Sequence, residues 1–264
     1  MRVSIVTITY NAAAVLQPTL DSVAVQDHDD LEHVIVDGAS TDGTVEMARR
    51  YQAAAKSRGN GHDVVVVSEP DKGLYDAMNK GLRQVTGDYV CFLNAGDRLP
   101  AADTVSRVVE AAQLSGDGDY PAVVYGDTDI IGPQGEWVGH RHLSPPDHLN
   151  WRSFKQGMLV CHQAFYARTD IARQVEYDTR YRYSADVDWC IRVMRQAEKA
   201  KAPLVRVGGV VALYLQEGQT TIHHSESLRE RFDVMRRHYG LITTSAMHAW
   251  FAVRSAIRSF RRKH

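Results

Sequence analysis

The most constraining feature of this chain is an alternation, through its first half, of short apolar runs with segments of helical periodicity. Runs that are apolar throughout and alternate with helices predict a parallel sheet covered on both faces. The first half therefore predicts an α/β fold with a mainly parallel sheet. The predicted strands are Arg2–Ile8, Leu31–Val36, Asp63–Ser68, Asp88–Leu93 and Ala122–Gly126, and the predicted helices are Ala12–Val25, Thr41–Lys56, Leu74–Gln84 and Ala101–Leu114.

The pattern loosens after residue 126. A Gly-Pro-Gln-Gly turn predicts a hairpin over Thr128–Arg141, and an apolar stretch predicts extended structure over Gly157–Tyr166. We divide the chain into an α/β half (1–126), a mixed half (127–240) and a C-terminal helix (241–264). The remaining predictions are helices at Ala185–Ala200, Ser225–Tyr239 and Thr243–Arg262 and a strand at Leu204–Leu215.

Charge is distributed unevenly along the chain. The formal net charge is −1, but residues 241–264 carry five basic side chains and no acid, so the rest carries −6. An acidic body argues against nucleic acid as a partner. On a helical projection of this tail, Trp250 and Val253 lie on one side and Arg254 lies on the adjoining side. An apolar side next to a basic side suits an anionic membrane surface. Packing on the body or on a second subunit, as a homodimer, is the alternative.

The cysteine usage and the first residues bear on the compartment. Three cysteines without a CxxC pair argue against a disulfide framework and against a zinc knuckle. The start of the chain lacks the apolar core and the cleavage site of a signal peptide. We therefore expect a cytoplasmic protein, or one at the inner face of the cell membrane.

Polar residues follow each of the first four predicted strands. In α/β sheets ligands bind beyond the carboxyl ends of the strands, although loops are polar in any protein. The turn after the first strand has no glycine, and no GxxxxGK[ST] motif occurs, which argues against a dinucleotide fold and a P-loop. The strand ends are Thr9-Tyr10-Asn11, Asp37-Gly38, Glu69-Pro70-Asp71 and Asn94-Ala95-Gly96-Asp97.

Six segments follow one another along the chain: MRVSIVTITYN, VIVDGASTDGT, EPDKGLYDAMNKG, GDYVCFLNAGD, CHQAFYAR and YSADVDW. Through these segments, over roughly residues 2–195, the chain resembles the family 2 glycosyltransferases of the GT-A fold. The resemblance implies transfer of a sugar, with inversion, from a nucleotide-diphosphate sugar to a hydroxyl of a glycan or lipid-linked oligosaccharide. It makes residues 1–126 the donor half and 127–240 the acceptor-side half.

The resemblance also implies which residues bind the donor. Asp37 would bind the nucleoside, Gly38 would allow a tight turn beside it, and Asp71 would be a second acid at the base, an arrangement that favours UDP over GDP or dTDP. Independently, Tyr75 and Asn79 lie four apart on one helix face near its N-terminus, which attracts a diphosphate. The resemblance further implies that Thr9, Tyr10 and Asn11 line the base pocket and that Lys72 lies near the phosphates.

The segment Asn94-Ala95-Gly96-Asp97 departs from the family pattern. Many relatives have a DxD there, whose carboxylates hold Mg²⁺ or Mn²⁺ against the diphosphate. In this chain only Asp97 is left as a charged metal ligand, and the alternative is that Asp97 is a turn residue. We still expect Mg²⁺ or Mn²⁺, held more weakly.

By its match to the family, Asp186 is the general base that takes the proton of the acceptor hydroxyl. Asp188 is expected to hold the helix start, and both acids could simply favour a helix N-terminus. His162, Gln163 and Trp189 fall in the acceptor-side segments, where His162-Gln163 could also be a satisfied core pair.

Two other functions compete with the transferase. The missing DxD acids suit a nucleotide-sugar binding protein without turnover, but such a protein needs no base at Asp186. A hydrolase or nucleotidyltransferase on a related sheet is the third, although a nucleotidyltransferase would have a Gly-rich basic loop, which Thr9–Val15 lacks.

Overall fold

The computed structural model describes residues 1–114, 120–216 and 224–261, and in the last range side chains are described for residues 225–254. Within these residues eight strands form one sheet in the order β3-β2-β1-β4-β7-β5-β6, with β8 paired to β5. Strands β1 to β4 run parallel, β8 is parallel to β5, and β7 and β6 are antiparallel to their neighbours. The bounds are β1 Val3–Thr9, β2 Leu31–Asp37, β3 His62–Ser68, β4 Tyr89–Phe92, β5 Val123–Ile131, β6 Trp137–His140, β7 Phe165–Arg168 and β8 Leu204–Leu215.

Helices cover both faces of this sheet, and β1 and β2 are buried along their whole lengths. The α/β fold with a mainly parallel sheet is thus confirmed, and α3, α6 and β8 begin and end at the predicted residues. The helices are α1 Ala13–Ala24, α2 Thr44–Arg58, α3 Leu74–Gln84, α4 Thr104–Gln113, α5 Thr169–Ala172, α6 Ala185–Ala200, α7 His224–Tyr239 and α8 Leu241–Arg261, with 3₁₀ helices at Trp151–Gln156 and His162–Ala164.

The prediction of extended structure over Gly157–Tyr166 was wrong. Only its last two residues belong to β7, which lies between β4 and β5, and a 3₁₀ turn precedes them. Side chains of this turn form hydrogen bonds with acids elsewhere in the chain. The apolar pattern of the segment therefore reflects burial without strand pairing. The predicted division at residue 126 falls inside β5, so the two halves share a strand.

The C-terminal helices extend the fold beyond the sheet. Helix α8 packs on α7, with Thr244 completely buried and the ring of His248 5.0 Å from that of Phe232. No helix in the described ranges is long and apolar enough to cross a lipid bilayer. Four of the five basic side chains of the tail follow Arg254 and lie outside the described residues.

Candidate active site

A buried carboxylate ties together the carboxyl ends of β1, β2 and β3. Asp37 accepts hydrogen bonds from Thr9 Oγ1 (3.0 Å), Ser68 Oγ (2.8 Å) and both the N–H (2.9 Å) and the hydroxyl of Ser40. Burial opposes ionisation, but the hydrogen bonds from Ser40, Ser68 and Thr9 outweigh it and lower the pKa of Asp37. The side chain is completely buried, so it would contact a nucleoside only by exchanging one of these bonds.

Beside this anchor Tyr10, Gly38 and Asp71 come together, and we call these three residues the strand-end recess. Tyr10 is 67% exposed, which is unusual for a tyrosine beside buried strands. The Asp71 carboxylate lies directly against Gly38, where an added Cβ would collide with it and would lie 3.3 Å from the Tyr10 ring. The recess offers an aromatic face and a carboxylate at one edge, which suits a planar base that carries an N–H donor.

Two predicted donor residues have structural partners. Asn11 adopts a left-handed backbone (φ 47°), its N–H donates to Ser40 Oγ (2.8 Å) and its side-chain oxygen accepts from the Thr41 N–H (2.9 Å). Asn79 is buried, and its amide both donates to and accepts from the backbone of Tyr177 (2.9 and 2.7 Å). Both side chains hold segments together, and the Asn79 amide is too deeply buried to reach a diphosphate in this structure.

The beginning of α3 lies beside the recess. Lys72 is exposed there, and its N–H donates to Asp76 (3.0 Å). Tyr75, the second residue of the helix, is buried and donates its hydroxyl to Asp186 Oδ1 (3.2 Å). The helix therefore links the carboxyl ends of the strands to the predicted base.

Asp97 does not fit the role of a metal ligand. It is 4% exposed, its Oδ1 accepts from the Leu215 N–H (2.9 Å) and its Oδ2 accepts from Gln163 Nε2 (2.8 Å). Burial raises the pKa of Asp97 to about 6. Across the residues that the structure describes, no group of three or more His, Cys, Asp or Glu could hold a metal ion. Asp97 is buried as well as bonded through both oxygens, so it has no edge open to a ligand and we derive no step through a metal.

The backbone at position 96 explains why glycine replaces the second acid of the DxD. Gly96 has φ 99°, and a Cβ there would lie 2.7 Å from the side chain of Leu215. Its N–H donates to Thr19 Oγ1 (2.9 Å), and the N–H of Ala95 donates to the carbonyl of Ile8 (3.4 Å). The loop is thus held by its backbone, with no space for a side chain at position 96.

Asp186 stands in the first turn of α6 with a side chain 17% exposed. Its Oδ2 accepts from His162 Nδ1 (3.3 Å) and its Oδ1 from Tyr75. Burial raises the pKa of this carboxyl, but the hydrogen bond from His162, the charge interaction with the same ring and the charge of Arg231 outweigh it and keep the pKa below its ordinary value. Asp186 is thus an ionised carboxylate that is partly open to solvent, as a general base requires.

Trp189 does not line an acceptor site. It is completely buried and stacks on Tyr177, with ring centroids 4.8 Å apart. Asp188 is bonded to Arg192 (2.6 Å) and His238 (2.8 Å), so it ties α6 to α7. Only Asp186, among the three residues predicted in this helix, faces the end of the sheet with an exposed edge.

Sequence reasoning missed several residues that build the site. Ser68 was findable, since it is the last residue of a predicted strand beside the end of β2. Glu230 carried no local signal: it accepts the N–H groups of Arg182, Tyr183 and Ser184 (2.7–3.0 Å), which lie 46 to 48 positions away. These bonds fix the segment that leads into Asp186.

Relatives of known structure share this fold. The chain is similar to the S. aureus TarS 1-349 structure in complex with UDP-GlcNAc (TM-score 0.66, 18% identity), covering 89% of this chain and 65% of that one. It is also similar to the mannosyltransferase PcManGT from Pyrobaculum calidifontis in complex with GDP-Man and Mn²⁺ (TM-score 0.61, 21% identity), covering 96% of this chain and 75% of that one. At these identities the likeness shows the fold, which is that of GT-A glycosyltransferases.

Relatives in sequence are named as biosynthetic glycosyltransferases. The chain is 38% identical over 190 residues to a PGL/p-HBAD biosynthesis glycosyltransferase of Mycobacterium bovis, covering 72% of this chain and 68% of that one. It is 28% identical over 217 residues to the amylovoran biosynthesis glycosyltransferase AmsB of Erwinia amylovora, covering 80% and 68%. The family model "Glycosyl transferase family 2" matches residues 4–175. The chain therefore belongs to glycosyltransferase family 2.

Proposed function

We propose that this glycosyltransferase moves a sugar from a nucleotide-diphosphate sugar to an acceptor hydroxyl by direct displacement, with Asp186 as the base. The observation that carries this proposal is the placement of Asp186, which is ionised, partly exposed and held through both oxygens beside the donor end of the sheet. A single available carboxylate suits one displacement with inversion, since no second carboxylate stands ready as a nucleophile among the residues described around it.

The chemistry balances without a covalent enzyme intermediate. The acceptor oxygen attacks the anomeric carbon while the bond from that carbon to the diphosphate oxygen breaks. The nucleoside diphosphate leaves with the bonding electron pair, and Asp186 takes the acceptor proton late in the step. Tyr75 keeps its proton, because burial raises the pKa of its hydroxyl well above the ordinary value, and so it acts as a hydrogen-bond donor to Asp186.

For the donor we propose a UDP-sugar. The strand-end recess supports this choice, because the Asp71 carboxylate can accept the N–H of a uracil whose ring lies on Tyr10. The structures of TarS with UDP-GlcNAc and PcManGT with GDP-Man have the same fold, so the recess and not the fold must select the base. A UDP affinity no higher than that for GDP or dTDP would contradict the assignment.

For the acceptor we propose a glycan or lipid-linked oligosaccharide at the inner face of the cell membrane. A cavity of about 420 Å³ lies between the 3₁₀ helix Trp151–Gln156 and α8. Arg152, Lys155 and Arg254 line it together with Trp250 and Phe251, and Trp250 is 54% exposed. We call these five residues the basic cleft. Cations beside aromatic rings suit an anionic lipid headgroup and its adjoining apolar chain.

The experiment that tests the transferase is a donor panel of UDP-, GDP- and dTDP-sugars with wild type and Asp186→Asn. Binding is measured by calorimetry, and turnover by release of the nucleoside diphosphate with Mn²⁺, with Mg²⁺ or with EDTA. We expect the variant to bind the same donor and to lose about 100-fold or more of its turnover. Asp170→Asn, at an exposed surface acid, is the matched control.

The same panel distinguishes a binding protein from an enzyme. The replacement of the DxD acids and the internal bonding of Asp97 are the observations that favour a binding role. Donor binding without any turnover in the wild type would establish that role. Absence of binding to every nucleotide sugar would overturn both readings.

A further inference from the structure

His162 lies between the replaced DxD segment and the proposed base. Its Nε2 is 3.2 Å from the amide nitrogen of Asn94, and its Nδ1 is 3.3 Å from Asp186 Oδ2. The histidine is 8% exposed, so water cannot readily stand in for either partner. The three side chains form a continuous hydrogen-bonded row from the end of β4 to the first turn of α6.

The chemistry of the two outer residues fixes where the histidine carries its proton. An amide nitrogen only donates, so Nε2 has to accept and Nδ1 has to carry the hydrogen. The Nδ1–H then donates to Asp186, which is a carboxylate and only accepts. If the Asn94 amide were turned over, its oxygen would face Nε2 of His162, and Nε2 would then have to carry the proton. The two arrangements therefore differ in the position of the histidine proton, which can be measured.

We propose that Asn94 and His162 form a positioning pair that holds Asp186 as the base, an inference that rests on the proposed function. Asn94 selects the Nδ1–H form of His162, and His162 and Tyr75 then orient the two oxygens of Asp186. His162 keeps its proton throughout, and the proton of the acceptor goes to Asp186. Neither Asn94 nor His162 has to touch the reacting atoms.

This arrangement gives a reason for asparagine where many relatives carry the first DxD acid. An aspartate at position 94 would face Nε2 with an acceptor and draw a proton onto it. The resulting imidazolium beside Asp186 would stabilise the carboxylate and weaken it as a base. The other charged groups that face this row are Asp97, beside His162, and Arg231, beside Asp186.

The direct test is the tautomer of His162, read by long-range ¹H–¹⁵N NMR on protein labelled at its 12 histidines. The signals lost in His162→Gln assign the residue. We expect the Nδ1–H form in the wild type and the doubly protonated ring in Asn94→Asp at the same pH. An Nε2–H form in the wild type, or an unchanged spectrum in Asn94→Asp, would overturn the proposal. This measurement needs neither donor nor acceptor.

The kinetic test uses a matched pair of variants. In His162→Asn the amide nitrogen takes the place of Nδ1 and can still donate to Asp186, whereas the longer side chain in His162→Gln reaches the place of Nε2. With the donor that the panel identifies, we expect turnover to stay within about tenfold of wild type for His162→Asn. We expect it to fall about 100-fold for His162→Gln and Asn94→Asp, with the donor KM unchanged.

The two proposals fail in different ways. Equal losses in His162→Asn and His162→Gln would show a merely structural role for the histidine and would overturn the positioning pair. Full turnover in Asp186→Asn would instead overturn the assigned base, and it would leave the measured tautomer of His162 as it is.

Discussion

At the scale of single residues, availability decides what a polar side chain can do. Asp97 is the only acid left in its loop, yet its two oxygens already accept hydrogen bonds from Leu215 and Gln163. Asn79 and Trp189 are likewise taken up by contacts with Tyr177. Asp71 and Asp186 differ, because each keeps an edge toward solvent.

The buried Asp97 carboxyl makes the stability of the protein depend on pH. Its pKa is raised to about 6 in the fold, above the ordinary 3.8, so the folded state holds the proton more tightly. The contribution of this carboxyl to the free energy of unfolding is therefore fully present below about pH 4 and is lost as the pH rises through about 6. Relative to Asp97→Asn, which does not titrate, we expect the free energy of unfolding to fall by about 2 to 3 kcal/mol between these limits.

Urea unfolding of wild type and Asp97→Asn at a series of pH values measures this difference. A flat difference would contradict the assignment of a buried, protonatable carboxyl. Stabilisation of the wild type by Mn²⁺ that disappears in the variant would show that Asp97 is a metal ligand after all.

Gly38 offers a second prediction at this scale. A methyl group at position 38 collides with the Asp71 carboxylate, whereas at Gly43 in the same loop the nearest atom, Ala13 Cβ, is 3.9 Å away. We expect Gly38→Ala to weaken UDP binding by about tenfold or more, equivalent to about 1.4 kcal/mol, and Gly43→Ala to leave it unchanged. Calorimetric titration with UDP measures both, and equal affinities would place the nucleoside elsewhere.

At the scale of elements, the site depends on how three helices meet. Tyr75 on α3 bonds to Asp186 on α6, and α7 supports α6 through His238 and Asp188. Glu230 on α7 accepts three backbone N–H groups of the segment before α6. The family model matches residues 4–175, so α7, which supplies this support, lies outside the matched region.

We expect Glu230→Ala to destabilise the protein by about 2 kcal/mol, because it leaves N–H groups around the buried Ser184 without an acceptor. We also expect turnover to fall by more than the loss of folded protein accounts for, because the segment that Glu230 holds leads directly into Asp186. Glu46→Ala removes an exposed pair with Arg50 and should cost less than about 0.5 kcal/mol. Denaturant unfolding compares the two, and equal effects would remove Glu230 from this role.

At the scale of the whole molecule, charge is separated between an acidic body and a basic end. The basic cleft gathers cations from two distant segments, the 3₁₀ helix Trp151–Gln156 and α8. Arg152 also pairs with Glu198 (2.6 Å), which leaves Lys155 and Arg254 as the cations best placed for a headgroup. The membrane contact that we propose rests on this cleft and on the exposed Trp250.

We expect the protein to sediment with vesicles of phosphatidylglycerol and phosphatidylcholine, but not with phosphatidylcholine alone. Lys155→Glu and Arg254→Glu should each weaken this binding about tenfold, since a basic residue near an anionic surface contributes about 1 kcal/mol and the reversal adds repulsion. Lys56→Glu, at an exposed site on α2, makes the same charge change and should have little effect. Binding that is insensitive to salt, or lost equally in all three variants, would contradict a specific cleft.

The sequence by itself determined the fold class and most elements of the first half. Three elements have the predicted first and last residues, because apolar periodicity reports which face of a local segment is buried. They are Leu74–Gln84, Ala185–Ala200 and Leu204–Leu215. It also placed Asp37, Asp71 and Asp97 at strand ends. Extended structure over Gly157–Tyr166 was predicted wrongly, since burial without strand pairing gives the same apolar pattern.

Only the tertiary structure decided which of these polar groups remain free for a ligand. Asp97 is satisfied by Leu215, 118 positions later in the chain, and Asn79 by Tyr177, 98 positions later. Asn94, His162 and Asp186 likewise come together from three separate segments. Local pattern carries no information about such partners, because a hydrogen bond depends on distance in space, and that distance is set when the helices pack on the sheet.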